Sequence, residues 1–101
     1  MTLSVDFDKA YRQAKSMANC ADDMSQISSV LNGIVTDIRR TWRGETAAAY
    51  LRKMEAFESG IRSNANKCRE DAAAFRAKID AIKAAEEAAR RAMEEERNAG
   101  L

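Results

Sequence analysis

The side chains in this 101-residue chain best suited to chemistry or recognition are two cysteines, three clustered arginines and one tryptophan beside a glycine. Cys20 and Cys68 can pair as a disulfide or stay free thiols. There is no histidine, the group usually recruited for general acid–base work near neutral pH. The carboxylates are spread at helical-surface spacing and mostly offset by a nearby Lys or Arg. No nucleophile elbow, glycine-rich phosphate loop or metal-ligand cluster is present. This pattern points away from an enzyme and implies neither cofactor nor metal. Arg39, Arg40 and Arg43 read as a solvated helix end that favours the negative pole of the dipole, rather than as a phosphate site. With 17 basic and 16 acidic residues interleaved along the chain, the net charge of +1 leaves no basic stripe for nucleic acid.

Long helices must position these residues. One third of the chain is charged, and proline is absent. In the first half Phe7, Ala10, Ala14, Met17, Ala21, Met24, Leu31, Val35 and Ile38 alternate steps of three and four, with Ser28 the one polar member. That spacing is a seam for a helix packed along its length on another. The second half repeats it with Leu51, Met54, Ile61, Ala65, Cys68, Ala72, Phe75, Ile79 and Ile82. Glu58 interrupts the second seam, and the adjacent Phe57 is expected to cover the gap. Ser4 or Asp6 can cap the first helix, and Glu45 suits the first turn of the second. Gly33 and Gly60 fall inside helices, either as tolerated residues or as points of close helix approach.

The fold class is therefore all-α: an antiparallel two-helix hairpin, dimerising into a four-helix bundle. Helix one is expected over about 5–40, the turn over about 41–44 and helix two over about 45–83. Residues 1–83 form the hairpin, and 84–101 a charged tail, helical or frayed, with Glu86–Arg90 and Glu87–Arg91 pairs. Folding about Arg43 pairs residue i with a residue near 86 − i. The apolar stripe of helix one is wider than one partner needs. Ile27, Val30, Leu31 and Ile34 are the expected dimer interface, because a lone hairpin would leave most of that stripe in water.

A chain of this length with two amphipathic helices and Trp42-Arg43-Gly44 at the hairpin turn resembles the WXG100 (ESAT-6-like) family. The resemblance implies a small non-enzymatic protein that pairs with itself or with a related helical partner. It implies export by a type VII (ESX-like) secretion system without a cleaved signal peptide, engagement of the secretion ATPase, and in some members service as partner to a larger toxin. One departure stands out. Many members carry Tyr-x-x-x-Asp/Glu after the second helix, whereas here no tyrosine follows Tyr50. The export signal is then of another kind, or a partner supplies it. Trp42 and Gly44 are the expected recognition turn, with the alternative that the indole simply plugs the end of the bundle core.

Other readings are weaker. An intracellular coiled-coil adaptor fits the helices but leaves the turn motif a coincidence. No apolar run approaches a membrane span, and the N-terminus lacks both a basic start and an apolar h-region. The polar face of helix one is not enriched in Lys or Arg, which disfavours a membrane-surface role. Cys20 and Cys68 lie at nearly the same height of the hairpin. A disulfide there needs Cα atoms within about 7 Å and would contribute about 3–4 kcal/mol. Free thiols acting as small apolar residues are favoured, since a bundle of this size needs no staple.

Overall fold

The computed structural model describes residues 5–100. Two helices, α1 (Phe7–Thr41) and α2 (Glu45–Ala99), form an antiparallel hairpin 86 Å long and less than 20 Å across. The length is that of α2 itself, since 55 residues at about 1.5 Å per residue give about 83 Å.

The helix ends follow from local chemistry. Asp6 caps α1, its Oδ1 accepting the Lys9 N–H at 3.0 Å. Ser4, the other candidate, lies outside the described residues. At the far end Arg39 and Arg40 complement the helix dipole. The Thr41 hydroxyl donates to the Asp37 carbonyl at 3.1 Å. Trp42 turns extended, with its N–H still bonded to the Ile38 carbonyl at 2.8 Å. Gly44 takes φ 103°, the one positive φ among the described residues, and α2 starts at Glu45.

The seam repeats every seven residues. Ala14, Ala21, Ser28 and Val35 are buried on α1, and Glu58, Ala65, Ala72 and Ile79 on α2. A strict heptad keeps one line of an α-helix facing its partner only if the pair supercoils left-handedly. Ser28 meets Glu58, and their positions sum to the 86 expected for a fold about Arg43. Most buried members are alanine, and among the described residues no large side chain is fully buried. The hairpin alone therefore has a thin core.

One expectation about the seam is corrected, and one alternative left open by the sequence is decided. Glu58 is not a gap that Phe57 covers: Glu58 is itself buried, and Phe57 is 64% exposed. Glu58 shares its heptad line with Ala65, Ala72 and Ile79, so its neighbour is rotated about 100° away from α1. Gly33 and Gly60 are tolerated glycines, because a Cβ added at either would meet nothing within 4 Å.

α1 starts at Phe7, whose counterpart is Ile79, yet α2 continues for some twenty residues more. This overhang is helical to Ala99, and its first turn still meets α1, through Asp80 and Lys83 at Tyr11. Among the described residues, neither Glu86–Arg90 nor Glu87–Arg91 closes to an ion pair within 4 Å.

Candidate functional site: one open flank and the hairpin turn

The two flanks of the hairpin differ in kind. On one, polar side chains reach across the seam. Arg69 donates to Asp22 at 3.1 Å and to Ser25 at 3.0 Å. Arg39 pairs with Glu55, and the Tyr11 hydroxyl donates to Asp80. Arg76 and Lys83 lie over the Tyr11 ring at 5.4 and 5.8 Å, within cation–π range. On this side, Ser28 Oγ donates to Glu58 Oε1 at 2.7 Å, and Arg62 donates to the same oxygen at 3.2 Å. Every long reach from helix to helix is satisfied here by the chain itself.

The opposite flank is apolar and open. Ile27, Val30 and Leu31 line a groove of about 520 Å³ together with Phe57 from α2. Ile27 is 50% exposed, Val30 63% and Ile34 42%, while Leu31 is half-buried at the groove floor. Further along the same flank Met17 and Phe75 line a second groove. Tyr50 lies seven residues before Phe57 and is also exposed. The four residues named from the sequence thus sit together, but α2 contributes as well. Tyr50 and Phe57, seven residues apart, widen the second stripe in the sequence, whereas Phe75, read as a seam residue, was not expected on this surface.

The turn presents Trp42 53% exposed, part covered and part free. Gly44 owes its place to backbone conformation. At φ 103° an L side chain is strained, but a Cβ would meet nothing within 4 Å, so close approach plays no part. Cys20 and Cys68 are both free. Cys20 is exposed, turned off the seam beside Ala21, whereas Cys68 is half-buried with its Sγ 3.5 Å from the Met17 carbonyl. Among the described residues, no cluster of three His, Cys, Asp or Glu side chains is placed to hold a metal. No described helix is long and apolar enough to cross a membrane.

The hairpin closes one flank with its own polar contacts, leaves the other apolar and exposed, and carries Trp42 at its turn. The sequence model of the WXG100 family, proteins of 100 residues with WXG, matches residues 2–70, and the chain belongs to this family. Its members are small helical proteins generally associated with type VII secretion, and they generally form dimers with partners. Among curated proteins and solved structures, nothing matches the chain.

Proposed function

We propose that this chain is a non-enzymatic substrate of a type VII secretion system, or the targeting partner of one. It acts as a dimer, exported without a cleaved signal peptide. The observation that carries this reading is the open flank, where Ile27, Val30, Ile34 and Phe57 stay in water while the opposite flank is closed by the chain's own polar contacts. A second hairpin laid on that flank makes a four-helix bundle and dries it. In this arrangement Trp42 and Gly44 remain at the bundle tip, where the free half of the indole is available to the secretion ATPase. A related helical partner, or a larger toxin, that carries its own signal is the company in which the chain is exported.

Light scattering on the chain expressed alone tests the pairing. A stable species at twice the 11.2 kDa chain mass identifies a homodimer, and an aggregating or unfolded monomer identifies a missing partner. Export is tested in culture supernatant with and without the secretion ATPase. Strict retention in the cell under both conditions would favour an intracellular adaptor instead.

A further inference from the structure

The open flank changes character along its length. On α1 the line that points to it reads Gln13, Cys20, Ile27 and Ile34, and on α2 Tyr50, Phe57, Asn64 and Asp71. A spacing of seven drifts by only about 20° per repeat, so each line keeps to one side of its helix. Every member is exposed. Both lines are apolar near the turn and polar toward the foot of the hairpin.

The outer borders of this flank carry opposite charge. Beside the α1 line run Asp23, Val30 and Asp37, again seven apart, and beside the α2 line Lys53, Gly60 and Lys67. Asp23 and Val30 line the groove with Ile27 and Phe57. Among the described residues, none of these four charges has an opposite charge within 4 Å. On the closed flank, by contrast, Arg39 and Arg69 find theirs across the seam.

We propose, resting on the reading that the open flank pairs, that its occupant is a second copy of this chain laid turn beside turn, with a two-fold axis along the hairpin. That axis sets α1 of each copy antiparallel to α2 of the other at equal height. Ile34 then meets Phe57 of the second copy, and Cys20 near the foot meets its Asp71, so apolar half covers apolar half. On the border Asp37 faces Lys53 of the second copy, and Asp23 faces its Lys67. The positions in each charged pair sum to 90, against 86 for residues at equal height, an offset of about 6 Å. Arg69 spans a similar offset to Asp22 inside the hairpin. Turns at opposite ends fit worse. Full overlap then runs α1 against α1 and α2 against α2, which lays Ile34 over Gln13 and Phe57 over Asn64. It also sets Asp23 beside Asp23 and Lys53 beside Lys67, and only Lys9, facing Asp37, gains an opposite charge.

The test places a spin label at the turn, on R43C in the full chain carrying C20A/C68A, and measures the distance between copies. Turn-beside-turn pairing puts the labels within about 25 Å, since neighbouring helix axes lie about 8–10 Å apart. Turns at opposite ends put them about 50 Å apart, the length of the 35 residues of α1. In the unlabelled chain Asp37→Lys should raise the dimer dissociation constant about three- to tenfold. Adding K53D should restore it. Circular dichroism checks that each variant keeps its helices. Labels about 50 Å apart, or a D37K loss that K53D does not repair, would overturn the orientation and leave pairing through the open flank standing. A chain that stays monomeric alone would overturn the second copy as occupant. A twice-mass species untouched by Ile34→Asp would overturn both the proposal and the open-flank reading beneath it.

Discussion

Ser28 donates its hydroxyl to Glu58 across the hairpin seam, and these two are the buried polar residues of an otherwise apolar heptad line. Each looks like an interruption when its own helix is read alone. Together they are one layer, in register with the alanine layers around it, and Arg62 supplies a second donor to the carboxylate.

Removing one partner should cost more than removing both. Ser28→Ala leaves the Glu58 carboxylate short of a donor in a mostly buried site, a loss of about 1–3 kcal/mol. The double variant S28A/E58L replaces the layer with apolar packing and should equal or exceed the parent. Arg62 is exposed enough to hydrate once Glu58 is gone. Urea midpoints of the three proteins check the order, and a double variant weaker than Ser28→Ala would mean that the polar layer is needed for the register itself.

Pairing should depend on the open flank and not on the closed one. Ile27→Asp or Ile34→Asp removes about 1.5–3 kcal/mol of apolar burial per site in a dimer and adds a charge with no partner. The expected result is loss of the twice-mass species in light scattering. Arg69→Ala breaks only an exposed contact with Asp22, worth about 0–1 kcal/mol, and should leave the mass unchanged.

The turn separates conformation from recognition. Gly44→Ala forces a side chain into φ 103°, ψ 172° and should cost about 1–3 kcal/mol, read as a lower melting temperature. Trp42→Ala answers a different question. Secretion lost with helicity and mass unchanged marks the half-exposed indole as a recognition group, whereas a melted bundle marks it as an end plug.

Alkaline pH should loosen the foot of the hairpin. Hydrogen bonding to Asp80 raises the Tyr11 pKa, loss of hydration and the Asp80 and Glu87 charges add to the rise, and Arg76 opposes it in part. A raised folded value means that the stabilisation is fully present below the unfolded tyrosine value of about 10. It fades as pH climbs through the folded value, because the phenolate can no longer donate to a carboxylate. Thermal melts across this range should show Tyr11→Phe losing less stability than the parent; parallel curves would contradict the linkage.

The helices, their antiparallel order and the turn were legible in the sequence because apolar spacing and a lone Trp-x-Gly are one-dimensional signals. Ile27, Val30, Leu31 and Ile34 were legible as a surplus stripe for the same reason. The sequence by itself determined that this chain is a hairpin with more apolar surface than one hairpin can bury. Only the tertiary structure decided which flank stays open, since that depends on how two helices rotate about their common seam. A rotation of about 100° per residue moved Phe57 out to the open flank and Glu58 in to meet Ser28. The same rotation set Arg69 and Arg76 beside α1 on the closed flank.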